Sequence, residues 1–259
     1  MYEQIINDLF KKDIVAIVAG EKAVTLRTQF STEVPLKNEK TTFFYGKITR
    51  YTTLDGKNWY DKVKKDFVNY EVPLAIFPNA FETDYIFIPA AHRFFIRVSQ
   101  KVSISAVERY LTQAIPEVIT AKESFTVSVI QSQDVIDKII NAKELNSLKV
   151  EISYTNDDVG PEAQELIDKL LKGSNVGKFS ATFNPDQTGV LDTNADFVRG
   201  VLELAKENGI AEASIRNDNG KKVKVKTSSY PEKITTKSPQ EDVSMIDLLI
   251  RTMAVYRNE

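Results

Sequence analysis

Residues 215–226 read IRNDNGKKVKVK, and the way this hairpin closes decides how the second half of the chain folds. A two-residue loop, Asn219–Gly220, would pair Ile215 with Lys224 and put an apolar side chain on the lysine face. Side chains alternate between faces along a strand, so that register fails. A three-residue loop, Asp218–Asn219–Gly220, instead pairs Ile215 with Val223 and Ala213 with Val225. Gly220 then stands where the loop needs a left-handed residue.

This register fixes the other face as well. It places Arg216 opposite Lys222, Ser214 opposite Lys224 and Glu212 opposite Lys226. The last pair is an ion pair. The first sets two like charges face to face, which is unfavourable unless something negative lies between them. From Lys221 to Lys237 there are six lysines and one glutamate, in a chain whose net charge is −2. Such segregation suits a local phosphate-binding surface formed by Arg216, Lys221, Lys222, Lys224 and Lys226. Thr227, Ser228, Ser229 and Tyr230 would add hydroxyl donors beside it. The competing structural reading is that lysines on an exposed edge strand prevent edge-to-edge aggregation.

Outward from the hairpin, residues 146–259 read as one module. Strands are expected at 149–154, 178–183, 211–216 and 221–227, with helices at 161–172 and 195–208. Thr193 and Asp196 have capping-box spacing ahead of the second helix, and Gly209 ends it. With a short strand at 189–191 the order becomes βαββαβ, a split βαβ, ferredoxin-like unit. A last helix opens at Ser238–Pro239–Gln240–Glu241, with N-cap, N1 proline and N3 glutamate in place. Met245, Leu248, Leu249 and Met253 spread around that helix, which points to a homodimer seam.

Residues 1–145 form the other expected module. An amphipathic helix over 1–12 is followed by strands at 14–18, 23–29 and 42–51, with a polar loop over 32–40. A short helix is expected at 59–68, two strands joined at 89–91 over 84–98, and a helix from 103 to 115 closed by Pro116. A strand at 125–130 and a helix at 132–142 complete it. Together the two modules predict an α/β (α+β) protein with mixed sheets covered by helices.

Composition narrows the chemistry. There is no cysteine, which excludes disulfides, thiolate nucleophiles and cysteine-ligated metal. Hydrophobic residues at 42% and charged residues at 27% are those of a folded globular chain. The apolar run 14–19 is too short for a signal segment or a membrane span, so a cytoplasmic protein without membrane insertion is expected. The sequence holds no G-x-G-x-x-G, Walker A, HExxH or G-x-S-x-G pattern, and no cofactor or metal is expected.

His92 is the one histidine. It shares parity with Phe94 and Ile96, as a partly buried imidazole would. On the opposite parity Arg93 and Arg97 flank Phe95, a pattern able to hold a phosphate and stack a base, or simply a solvated sheet face. Asp157 and Asp158 follow a strand and could centre a metal-dependent nuclease, although acids before a helix are routinely structural. Asp55–Gly56–Lys57 imitates a nuclease D-x-K piece, and Asp-Gly is also a plain turn.

FYGKITRY (44–51), PNAFETDYIFIPAAHRFFIR (78–97) and SIRNDNGKKVKVKTSSYPEK (214–233) together resemble an uncharacterised bacterial domain family met near phage-defence genes. In its order of elements the chain is also similar to the phage lambda Rex exclusion protein A. That resemblance implies a dimeric, non-enzymatic DNA-binding sensor in abortive infection. The expected function is therefore a nucleic-acid-binding component of phage defence, with an effector protein as a further partner. The alternatives are a metal-dependent nuclease subunit and a protein-interaction subunit docking through the last helix.

Overall fold

In the computed structural model, the described residues are 1–36, 39–120, 125–153, 173–174, 176–217 and 219–234. They fall into two compact units that change over at Glu123/Ser124. Asp157, Asp158, the helix expected at 161–172 and the last helix from Ser238 lie outside the described residues.

The first unit runs α1 (Tyr2–Lys11), β1 (Ala16–Ala19), β2 (Lys22–Leu36), β3 (Glu39–Thr52), β4 (Trp59–Asp61), β5 (Asp66–Val68), β6 (Phe81–Ile88), β7 (Arg93–Ile96) and α2 (Ile104–Ala114). Its main sheet has the order β1-β2-β3-β6-β7, and β4 and β5 form a separate two-stranded ribbon. α2 begins at Ser103, whose hydroxyl accepts the Ala106 N–H at 3.3 Å. Pro116, which cannot continue the hydrogen-bond ladder, falls in the 3-10 turn that follows. Leu26, Ile48, Tyr85, Val107 and Tyr110 are all buried in this unit.

Two stretches differ from the sequence expectation. The loop expected over 32–40 is strand instead, because β2 and β3 stay paired out to Leu36↔Glu39. Among the described residues no strand pairs with the other edge of β2 beyond Val24, so Pro35 is tolerated there, and Glu33 and Lys40 are exposed. The helix expected at 59–68 is the β4–β5 ribbon. The Asp61 carboxylate accepts the N–H groups of Val63 (2.8 Å) and Lys64 (3.0 Å), and the Lys65 N–H donates to the Asp61 carbonyl (2.7 Å). Those bonds reverse the chain and set Tyr60 opposite Phe67.

The second unit contains α3 (Gln133–Ile140), β8 (Glu144–Ser153), β9 (Lys178–Phe183), α4 (Asp196–Asn208), β10 (Gly209–Arg216) and β11 (Lys222–Lys226). Its sheet order is β11-β10-β8-β9. One core joins Val135, Ile136 and Ile139 of α3, Leu148, Val150 and Ile152 of β8, Val201, Leu202 and Leu204 of α4, and Ala213 and Ile215 of β10. Each large side chain so buried contributes about 1.5–3 kcal/mol. Residues 125–130, expected as a strand, belong to no sheet.

The fold is α+β, as its elements predicted. Its described strand pairs are all antiparallel, where mixed sheets were expected. The split βαβ order needs a strand between β8 and β9. Here β8 pairs with β9 directly, from Leu148↔Phe183 to Ser153↔Lys178, and residues 189–191 supply only the bridge Leu145↔Leu191. β9 takes this edge because Phe179, Ala181 and Phe183 pack on the core at strand periodicity. The capping box ahead of α4 does not form either. Its N-cap is Ala195, which has no side-chain bond, and Gly209 is extended as the first residue of β10. Among the described residues no helix is long and apolar enough to cross a membrane.

Candidate nucleic-acid interface

The hairpin forms in the three-residue-loop register. Ile215 pairs with Val223, Ala213 with Val225, Arg216 with Lys222, Ser214 with Lys224 and Glu212 with Lys226. Gly220 has φ 72° and donates its N–H to the Asn217 carbonyl at 2.8 Å. The Asn217 side chain accepts the Lys221 N–H at 2.9 Å, so this asparagine closes the turn from both sides. Ile215 and Val225 point into the core, which leaves the lysines of β11 exposed on the other face.

Four cations of that face are matched. Lys226 Nζ lies 2.9 Å from Glu212, and Lys149 and Lys178 lie 2.9 and 3.5 Å from Glu151. Arg216 Nε donates to Glu144 Oε2 at 2.7 Å and its Nη1 to the Gly220 carbonyl at 3.0 Å. Glu144 comes from β8 and satisfies Arg216 from the side away from Lys222, so it does not lie between the two cations. The hydrogen bond from Arg216, then that from Asn146, holds its carboxyl below the usual glutamate range. Lys226 does the same for Glu212, and Lys149 for Glu151.

Lys222 and Lys224 are different. Neither has a carboxylate in ion-pair range among the described residues. Lys224 faces Ser214, and Ser214 in turn faces Ser147 of β8, so that row across the sheet contains no acid. Lys222 shares its row with Arg216 and Glu144, and Glu144 is already engaged. Lys221, at the loop, is exposed too.

Of the hydroxyls expected beside this charge, that of Thr227 is placed otherwise, while Ser229 and Tyr230 are exposed. Thr227 is fully buried, and its Oγ1 accepts the Ala211 N–H at 2.8 Å and donates to the Ala211 carbonyl at 3.1 Å. The Tyr230 ring lies 5.6 Å beneath the Lys138 ammonium.

Arg93 and Arg97 are held in the first unit. Arg97 Nη1 is 3.1 Å from Asp84 Oδ2, and Arg93 is half-buried opposite Ile88. Phe95 between them packs on Phe43, Ile86 and Ile88, so its ring is committed to an apolar cluster. His92 is half-buried, caps a 3-10 turn at φ 51° and lies 4.1 Å, ring to ring, from Tyr2. Asp55 accepts the Lys57 N–H at 3.0 Å, and Gly56 has φ 68°: this is a turn, with the carboxylate closing it. Among the described residues no group of three His, Asp or Glu is placed to hold a metal ion.

Sequence reasoning missed the exposed aromatic and lysine side chains of the β4–β5 ribbon. The signal was present in Asp61, directly before the Lys-rich turn 62–65, with Trp59 and Tyr60 ahead of it and Phe67 and Tyr70 after the turn.

No curated protein and no solved structure matches the chain. A family model described as a domain of unknown function, DUF4747, matches residues 1–254, and the chain belongs to that family.

Proposed function

We propose that this protein is a non-enzymatic nucleic-acid-binding component of a bacterial phage-defence system and that it grips the phosphate backbone with the outer face of β10–β11. One observation carries the reading: Lys222 and Lys224 stand on adjacent outward positions of β11 with no carboxylate partner among the described residues, on a face where four other cations are matched. A matched lysine has little reason to release its carboxylate for a phosphate. An unmatched one gains a charge partner and releases condensed counterions from the nucleic acid. Lys221 extends the contact toward the loop, while Arg216 and Lys226 set its edges through Glu144 and Glu212. The defence setting follows from the resemblance in element order to the Rex exclusion protein A.

The test is Lys222→Glu with Lys224→Glu. The affinity for a duplex or single-stranded oligonucleotide should fall at least about tenfold, and the slope of log affinity against log salt should become shallower by about 2. Circular dichroism and the melting temperature should stay unchanged, since both side chains are in water. Equal affinity and equal slope in the variant would overturn the assignment.

A further inference from the structure

We infer that the β4–β5 ribbon is a stacking clamp for unpaired bases, which makes the ligand a single-stranded nucleic acid. This rests on the reading of a polyanion ligand, but residues of the other unit carry it. Tyr60 and Phe67 pair directly across the ribbon and remain 60% and 70% exposed. Their rings meet edge to face at 6.2 Å and 64°, an arrangement that leaves ring surface open to a flat partner. On the ribbon's other side Trp59 lies 5.5 Å from Tyr70, which is also 60% exposed. A two-stranded ribbon this short has no core of its own that would use these rings.

The charge around them selects the occupant. Lys62, Lys64 and Lys65 occupy the turn, and Lys57 stands at the foot of the ribbon, all exposed. Within the ribbon, Asp61 accepts the N–H groups of Val63 and Lys64 through Oδ1 and lies 4.0 Å from Lys64 Nζ through Oδ2, and Asp66 accepts the N–H of Phe67, so Lys64 is loosely paired while Lys62 and Lys65 extend from the turn. A packed protein interface is depleted in lysine at its centre. A membrane-inserting tip would carry its apolar side chains at the turn, where here Val63 stands among three lysines. Open rings interleaved with ammonium groups fit a chain that offers flat bases and phosphates together. Bases in a duplex are stacked on one another and present no free face, so unpaired ones are required.

Trp59 is the only tryptophan in the chain, so its fluorescence reports on the ribbon directly. A thymidine homopolymer of about twenty nucleotides should quench it and bind at least about tenfold more tightly than a duplex of equal length. Tyr60→Ala with Phe67→Ala should lose most of that preference while keeping the salt slope. Tyr60→Trp should retain the preference, which guards against a variant that merely unsettles the ribbon. The inference is overturned by equal affinity for duplex and single strand, by an unquenched Trp59 in the bound state, or by a blue-shifted Trp59 on anionic vesicles with no response to the oligonucleotide. Quenching that persists in the Lys222→Glu, Lys224→Glu variant at unchanged salt slope would support the ribbon while removing the hairpin reading.

Discussion

Both sheets present basic side chains to water, and they treat them differently. In the first unit Lys47 sits opposite Asp84 in register, 3.4 Å from its carboxylate and 2.9 Å from Glu82. Arg27 also reaches Glu82, and Arg97 reaches Asp84. Three cations thus share two carboxylates: β6 lies between β3 and β7, so Asp84 serves Lys47 and Arg97, while Arg27 reaches Glu82 from β2 across β3. β11 is an edge strand with a single neighbour. That neighbour offers Arg216, Ser214 and Glu212 to three lysines, and only the last is an acid. Whether a basic stretch is free to bind depends on the strand beside it more than on the stretch itself.

The largest expected effect concerns the backbone that sets the matched register. A Cβ at Gly46 would overlap the carbonyl oxygen of Thr28 on the adjacent strand, so Gly46→Ala must shift β2 or β3. We expect it to cost about 2–4 kcal/mol in urea unfolding. Gly220→Ala is the control, with a left-handed φ but open space around it, and should cost about 1 kcal/mol. Equal costs at the two glycines would mean that the close approach at Gly46 does not set the register.

A smaller effect follows from unmatching the first unit on purpose. Glu82→Gln with Asp84→Asn removes the acids shared by Arg27, Lys47 and Arg97, and should lower stability at neutral pH by about 1 kcal/mol, since these pairs are partly exposed. The hydrogen bond from Lys47 holds the Glu82 carboxyl below the ordinary glutamate value of 4.5. Its contribution is therefore complete above about pH 4.5 and is lost as pH falls through the depressed value. The variant should show a flatter acid limb when melting temperature is followed against pH. It should also bind an oligonucleotide more tightly than the parent. If affinity does not rise, unmatched cations are not what draws a polyanion to this protein.

The hairpin was legible from the sequence because one constraint settled it: Ile215, Val223 and Val225 had to share a face. The helix from Ser103 to Pro116 was legible through its end signals. Glu144 was not, since it is 72 residues from Arg216 and a register shift between Ser214 and Ile215 brings it into reach. The ribbon was misread because Trp59, Val63 and Phe67 fall at four-residue spacing, like one face of a helix, whereas the Asp61 side chain turns the strand there. Arg93 and Arg97 had the right alternation for a surface platform. Local sequence did not reveal that Phe95 packs inward on Phe43 and Ile86.

The smallest effect is the most diagnostic of why Lys224 has no carboxylate partner among the described residues. Ser214 occupies the central position of its row, is 8% exposed, and its Oγ has no hydrogen-bond partner among the described residues. A buried hydroxyl without a partner contributes nothing to stability and carries a desolvation cost. Ser214→Ala should therefore leave stability unchanged or raise it by up to about 1 kcal/mol, with the salt slope of oligonucleotide binding unaltered. A loss above about 1 kcal/mol would show that the hydroxyl is engaged in the native state. The row from Lys224 to Ser147 would then be held by a polar link, and Lys224 would owe its position to that link rather than to the absence of an acid.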